Sequence, residues 1–301
     1  MSAAFATGWR EAPALRVAIA ALVIGDTLSL AGAPRVVSSP TLFSAALASP
    51  SIRWAIVAVG VAAAARFGAG AGRWRAGVVA LVALGFLATA FAEVAGGPAR
   101  NLYFSGVTML GWIIGILYHR ADERFAHAGA TALLGAAYLS AGISKLAYSG
   151  MPWLDGVQIQ AIVLSQDGLV PDGVLAALRT ALVSAPKITL ALTLATVALE
   201  LSGPLLLGGR KVRRVVAFGL VGMHTCIFLL GGISYVSAVV LLLVVAFADD
   251  APSHDRSDAP APRWLMPATV ACAVAAVFAI AHQAAAAGGQ RPQFSAALLP
   301  R

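Results

Sequence analysis

The sequence predicts an all-α fold, a polytopic bundle of transmembrane helices, and three observations support it. Only 11% of the 301 residues are charged and 59% are hydrophobic, whereas soluble domains contain about 25% charged residues. The hydrophobic residues form runs close to the roughly 20 residues that a membrane-spanning helix needs. Most of the arginines lie between these runs, as expected for cytoplasmic anchors.

Nine apolar runs are predicted to span the membrane, with edges uncertain by several residues, and residues 1–301 are interpreted as one integral membrane domain. The second run is the weakest candidate, because Arg53 and Arg66 lie near its two ends and shorten its uncharged stretch. The seventh and eighth meet at Gly231-Gly232 and form either a tight hairpin or one broken helix. The nine runs are Pro13–Ala33, Ile52–Gly68, Ala76–Gly97, Asn101–Tyr118, Ala126–Tyr148, Ile188–Gly208, Val212–Gly231, Ile233–Ala248 and Trp264–Ala287.

The first run also has features of a secretory signal peptide. Arg10 and Arg16 precede an apolar stretch, and Ala31-Gly32-Ala33 resembles a cleavage site. The run is long for a signal peptide, so a retained helix is the favoured interpretation.

The distribution of basic residues predicts the orientation. One set of connections, together with the N-terminus, holds thirteen basic residues and the other set holds eight. The positive-inside rule makes the richer side cytoplasmic. The N-terminus is then cytoplasmic, and the C-terminus lies outside if all nine runs cross.

Two connections have distinct characters. The long connection Ser149–Lys187 (the loop of residues 149–187) lies on the outer side, and Asp155-Gly156 and Pro171-Asp172-Gly173 in it are helix-start or turn signals. We expect two short interfacial helices there, Val157–Leu164 and Val174–Val183. Residues 249–263 are rich in Asp, Pro and Ser and predict a flexible cytoplasmic loop.

Several function classes have no support. The net charge of +8 is explained by membrane anchoring, so nucleic acid is not an expected partner. Cys226 and Cys272 lie inside apolar runs, which speaks against a disulfide framework or zinc site. No metal-ligand cluster, phosphate-binding loop, HExxH or GxSxG motif is present, so no metal or nucleotide cofactor is expected.

Ionisable residues at membrane depth are costly and are candidates for functional sites. They are Asp26, Glu93, Lys145, Glu200, His224 and, near a helix end, His282. Lys145 is the most informative, because Tyr138, Gly142 and Lys145 share one helical face. A desolvated lysine can act as a base unless it finds a carboxylate. It can equally extend to the interface as an anchor.

Glu200 and His224 have both functional and structural interpretations. Pro204 frees the carbonyl group of Glu200 from its helical partner and can kink the helix there. A single histidine in a helix is more often a packing residue than a ligand. Pairing of Glu200 with Lys145 or His224 would make the buried charge tolerable, and Asp26 and Glu93 have the same structural explanation.

Two stretches carry a family resemblance. The first is Tyr138-Leu-Ser-Ala-Gly-Ile-Ser-Lys145-Leu followed by Trp153-Leu-Asp-Gly156. The second is Glu200-Leu, a basic loop, His224 and Leu230-Gly-Gly-Ile-Ser-Tyr235. In this order they resemble the membrane domain of vitamin K-dependent γ-glutamyl carboxylases, whose bacterial relatives are the HTTM (horizontally transferred transmembrane) proteins. The resemblance covers residues 101–248.

The resemblance implies a reduced, menaquinone-like or vitamin K-like quinone as cofactor. It places the role of the base that deprotonates the quinol on Lys145, and His224 would orient the quinone or reaction intermediates. In that family the deprotonated quinol reacts with oxygen, which leads to an epoxide and a base strong enough for carboxylation of glutamate. Tyr138, Trp153 and Asp155 would shape the outer mouth of the pocket and Glu200 would line it.

Two departures modify this expectation. Asn101 stands where the carboxylases have a histidine, and an amide cannot act as a general base. The chain also ends about 15 residues after its last apolar run, whereas carboxylases carry a large extramembrane region that grips the protein substrate. Quinol-linked redox chemistry on a smaller substrate, or with a separate partner subunit, is therefore expected. A relative that kept the scaffold and lost the chemistry is an alternative, and a peptide substrate is a further candidate partner.

The leading hypothesis is a bacterial inner-membrane protein that binds a reduced quinone. It would perform quinol oxidation or carboxylation-type chemistry, with Lys145 and His224 as catalytic residues and Tyr138, Trp153, Asp155, Glu200 and Asn101 as substrate-binding residues. Two alternatives stay open. One is a transporter that uses Lys145, Glu200 and His224 as a relay. The other is a non-enzymatic accessory or assembly subunit.

Overall fold

The computed structural model describes residues 12–32, 49–70, 73–92, 99–118, 123–149, 155–165, 173–231 and 235–247. These residues form an all-helical structure without β-strands in the described ranges. The α-helices are α1 (Ala12–Gly32), α2 (Pro50–Gly68), α3 (Trp74–Ala92), α4 (Ala99–Tyr118), α5 (Glu123–Ser144), α6 (Val157–Ser165), α7 (Val174–Val183), α8 (Pro186–Leu201), α9 (Arg210–Gly231) and α10 (Val236–Phe247).

Three helical segments in the described part are long and apolar enough to cross a membrane. They are Pro50–Gly68, Phe125–Ala147 and Arg210–Leu230. Helices α7 and α8 pass the same test only as a pair, and they are bent by 94° relative to each other, as in a broken span or a re-entrant loop. The helices thus support membrane association, while nine crossings remain a prediction.

The described residues of the first eight predicted apolar runs are largely helical, as are the two short segments predicted in the loop of residues 149–187. The ninth run, Trp264–Ala287, and the loop 249–263 lie outside the described residues. The helical character of the described runs follows from their length and apolarity, because backbone polar groups in an apolar environment must be satisfied internally.

The sixth predicted run, Ile188–Gly208, is not one continuous α-helix, so that prediction was wrong in this respect. Helix α8 ends at Leu201, and Gly203–Leu207 form a 3₁₀ turn. Pro204 lies at the start of this turn, where its missing N–H group costs no hydrogen bond. The predicted disturbance at Pro204 is confirmed, and it leaves Glu200 in the last turn of α8.

The seventh and eighth runs form a hairpin. The Arg214 side chain in the first turns of α9 donates a hydrogen bond from Nε to the Ala246 carbonyl near the end of α10, at 3.1 Å. A contact between the start of one helix and the end of the next requires antiparallel helices. The alternative of one broken helix is therefore excluded.

One end of the bundle is fastened by Arg16. Its guanidinium forms an ion pair with Glu123 and donates a hydrogen bond to the Gly68 carbonyl at 3.3 Å. The start of α1, the end of α2 and the start of α5 therefore meet at one end, which agrees with the predicted alternation of helix directions.

Helices α4 and α5 pack backbone to backbone through glycines. A Cβ atom at Gly111 would lie 2.8 Å from the carbonyl carbon of Gly129 and 3.0 Å from Cα of Ala130. Small residues allow such a close approach between helices in a membrane. Glycine at position 111 is thus required by packing.

We predict that Gly111→Ala destabilises the protein by about 1–3 kcal/mol, because the added methyl group forces α4 away from α5. Gly85→Ala is the matched control, since a Cβ atom at this helical position has no neighbour within 4 Å. Thermal unfolding in detergent measures both variants. Equal behaviour of the two variants would contradict the close packing of α4 on α5.

Candidate functional site

Four of the predicted site residues converge in two pairs. Helix α5 contributes Tyr138 and, directly after its end, Lys145, while α8 contributes Glu200 and α9 contributes His224. Tyr138, Glu200 and His224 are buried, with 1%, 5% and 4% of their surface exposed. Residues far apart in sequence thus form one buried polar group.

The first pair is an ion pair between Lys145 and Glu200. Lys145 Nζ contacts Oε1 of Glu200, and both side chains are largely buried. Sequence reasoning required Lys145 to be free of a carboxylate if it were to act as a neutral amine base. The structure places a carboxylate on it, so the two residues must be considered together.

Two local features bring these partners together. A Cβ atom at Gly142 would lie 3.1 Å from the Leu201 backbone nitrogen, so glycine lets the end of α8 approach α5 closely. At the end of α5 the chain continues as a π-helical turn, Lys145–Ser149. Such turns occur frequently at functional sites, and this one begins at the ion-paired lysine.

The second pair is a hydrogen bond between Tyr138 and His224. The Tyr138 hydroxyl lies 2.8 Å from Nε2 of His224. The hydroxyl donates if Nε2 is unprotonated, and in the neutral imidazole Nδ1 then carries the proton. Glu200 acts electrostatically on Tyr138, and Lys145 on His224, so the two pairs belong to one site.

Aromatic rings surround the histidine. The Tyr235 ring centroid lies 4.7 Å from that of His224, and Phe104 lies 5.9 Å from His224 and 5.1 Å from Tyr138. These distances are typical of aromatic pairs. Helices α4, α5 and α9 and the residue before α10 therefore enclose the imidazole in a mostly apolar environment.

Two buried polar atoms of the site have no hydrogen-bond partner among the described residues. They are Oε2 of Glu200 and Nδ1 of His224. Buried polar groups are normally satisfied, and those that are not require an explanation such as a catalytic role or a bound molecule. One oxygen and one nitrogen of the site thus have hydrogen-bonding capacity that the described residues do not use.

A second buried carboxylate, Asp26, is satisfied within the bundle. Ser105 donates a hydrogen bond to its Oδ2 atom at 2.5 Å, and Ser237 donates to the same atom at 3.2 Å. These bonds link α1, α4 and α10. They agree with the structural explanation of Asp26. The other intramembrane candidates, Glu93 and His282, lie outside the described residues.

The remaining predicted site residues are not joined to this group. Asp155 is exposed, and its Oδ1 accepts a hydrogen bond from the Val157 backbone at 3.0 Å, which makes it part of the start of α6. Its predicted role at the pocket mouth therefore gains no contact in the structure. Trp153 and the side chain of Asn101 lie outside the described residues, although the Asn101 backbone belongs to the first turn of α4.

Sequence reasoning did not single out Phe104 as a site residue, or Ser105 and Ser237 as partners of Asp26. An aromatic or hydroxyl side chain within an apolar run carries no distinguishing signal. Tyr235 belonged to a family motif but received no role. In the described part of the chain, no group of three His, Cys, Asp or Glu side chains is arranged to hold a metal ion.

No family model, curated protein or solved structure matches this chain. The resemblance to the carboxylase and HTTM proteins therefore stays a prediction from the sequence motifs.

We predict that Lys145→Met destabilises the protein by about 3–5 kcal/mol, because it leaves the Glu200 carboxylate buried without a counter-charge. The double variant Lys145→Met/Glu200→Gln should recover much of this loss. Lys187→Met is the control, since Lys187 is exposed in the first turn of α8. Thermal and denaturant unfolding measure the stability of the wild type, both single variants and the double variant. If the losses of the two single variants add up to that of the double variant, the pairing is disproved.

We predict that Tyr138→Phe lowers stability by about 1–3 kcal/mol, because the removed hydroxyl leaves Nε2 of His224 buried and unsatisfied. Tyr118→Phe removes the same atom from an exposed tyrosine at the end of α4 and should have little effect. Unfolding curves in detergent compare the two. A Tyr138→Phe variant that is as stable as the wild type would argue against the hydrogen bond.

Proposed function

We propose that this multi-pass membrane protein binds a reduced quinone at the site formed by Tyr138, Lys145, Glu200 and His224. The observation that carries the proposal is a pair of buried atoms beside aromatic rings, Glu200 Oε2 and His224 Nδ1, which have no hydrogen-bond partner in the part of the chain that the structure describes. A quinol offers a flat ring and a hydroxyl group that both donates and accepts a hydrogen bond. The family motifs support the same ligand class.

The residues fit this ligand chemically. Nδ1–H of His224 can donate to an oxygen of the ligand while Tyr138 holds Nε2, and Oε2 of Glu200 can accept from its hydroxyl group. Phe104 and Tyr235 supply apolar ring surface. When bound, a reduced quinone supplies two-electron reducing power for chemistry with oxygen. The Lys145–Glu200 pair, in place of a lone lysine, receives the proton of the quinol.

The proposed function also implies a location and partners for the protein. The protein resides in the inner (cytoplasmic) membrane with the loop of residues 149–187 outside, and the quinol reaches the site from the lipid bilayer between helices. The acceptor of the chemistry is a small substrate, a peptide or a partner subunit.

The test uses protein reconstituted in lipid nanodiscs with a reduced menaquinone analogue. We predict that His224→Leu binds the analogue about tenfold more weakly, because one hydrogen bond of about 1.4 kcal/mol is lost. His127→Leu is the control, since His127 lies in the first turns of α5, towards the opposite end of that helix from Lys145. Equal affinity in wild type and His224→Leu would remove His224 from the binding site.

The carboxylase-like form of the proposal predicts oxygen-dependent quinone epoxide in membranes that contain the wild-type protein. Lys145→Ala should abolish the product while the protein remains folded, because the pair that receives the quinol proton is destroyed. Mass spectrometry of the extracted quinones measures this. If neither protein forms epoxide, the carboxylase-like chemistry is refuted and an accessory or transport role is favoured.

A proton-coupled transporter that uses Lys145, Glu200 and His224 as a relay is the second candidate, and the convergence of these three side chains in one largely buried group favours it. Asp26 with Ser105 and Ser237 adds another polar group inside the bundle. Proton-dependent flux in liposomes that lack quinone would support this function over the enzyme.

A further inference from the structure

The ion pair raises the question of which atom accepts the proton of the ligand. A lysine ammonium has no lone pair and cannot accept a proton. Lys145 Nζ contacts Glu200 Oε1, and in an ammonium–carboxylate ion pair the carboxylate is the partner that has lone pairs to accept a proton. This arrangement differs from that of a lone lysine base.

The free oxygen of the same carboxylate is available for proton transfer. Glu200 Oε1 faces Lys145, whereas Oε2 is buried and has no hydrogen-bond partner among the described residues. The Tyr138 hydroxyl is already engaged with His224 Nε2 at 2.8 Å. Of the four polar side chains in the site, Glu200 thus offers a carboxylate oxygen with unused acceptor capacity.

We infer that Glu200, through Oε2, is the residue that accepts the proton of the bound hydroxyl group, and that Lys145 is its positioning counter-charge. The inference rests on the proposed function. In this step the O–H bond of the quinol breaks, its electron pair stays on the quinol oxygen, and a new O–H bond forms on Oε2. No oxidant is needed, and Lys145 remains an ammonium that stabilises the resulting negative charge.

Two substitutions distinguish Glu200 from Lys145 as the proton acceptor. Glu200→Gln removes the acceptor but keeps the size and polarity of the side chain. Lys145→Arg keeps the positive charge, and a guanidinium is always protonated in proteins, so it cannot act as a base. If Glu200 is the acceptor, Lys145→Arg retains proton transfer. If Lys145 is the acceptor, Lys145→Arg abolishes it.

The experiment uses the full chain in nanodiscs with menadiol as the probe, under anaerobic conditions. Binding is measured by titration, and infrared difference spectra record whether a protonated carboxyl band forms on binding. We expect the band in wild type and in Lys145→Arg, and its loss in Glu200→Gln. Glu123→Gln, which breaks the distant ion pair with Arg16, is the matched control and should keep the band.

The outcomes are distinct. Menadiol binding without the carboxyl band in wild type, or loss of the band in Lys145→Arg while binding persists, would overturn the inference and leave the proposed function standing. A band that persists in Glu200→Gln would also overturn it. Failure of the wild-type protein to bind menadiol would overturn the proposed function, and the inference with it.

Discussion

Charge inside a water-poor bundle is tolerated only where it is compensated, and the ion pair between Lys145 and Glu200 satisfies this constraint. Several features of the chain serve the contact. Helix α8 stops at Leu201, one residue after Glu200, and continues as a 3₁₀ turn around Pro204. Gly142 lets this end of α8 approach α5. Helix packing and charge compensation therefore depend on each other at this point.

The Tyr138–His224 hydrogen bond satisfies buried neutral polar groups, as the ion pair compensates buried charges. It engages Nε2 of the imidazole among aromatic rings, while Nδ1 is buried and has no hydrogen-bond partner among the described residues. Together with the second oxygen of Glu200, this atom gives the site one nitrogen and one oxygen of complementary hydrogen-bonding character. A hydroxyl group on a flat, lipid-soluble ligand matches that arrangement, and this match connects the fold to the proposed quinol chemistry.

Much of the fold could be predicted from the sequence because apolar run length is a strong local signal, and the same cost of buried charge pointed to Lys145, Glu200 and His224. The choice of partners could not be predicted, since it depends on how helices rotate against each other. Asp26 accepts hydrogen bonds from Ser105 and Ser237, and Asp155 accepts one from the backbone at the start of α6. Phe104 entered the site with no sequence signal. The break after Leu201 was foreseen only as a kink at Pro204.

The most direct test of the central claim is a distance measurement between Lys145 and Glu200 in lipid bilayers. Lys187→Arg and Lys211→Arg leave Lys145 as the single lysine, so ¹⁵N-lysine and ¹³C-glutamate labelling with solid-state NMR can report on this nitrogen. We expect dipolar coupling between Lys145 Nζ and a glutamate carboxyl carbon, and its loss in Glu200→Gln. Absence of coupling in the parent protein, or coupling that survives Glu200→Gln, would contradict the ion pair and the site built on it.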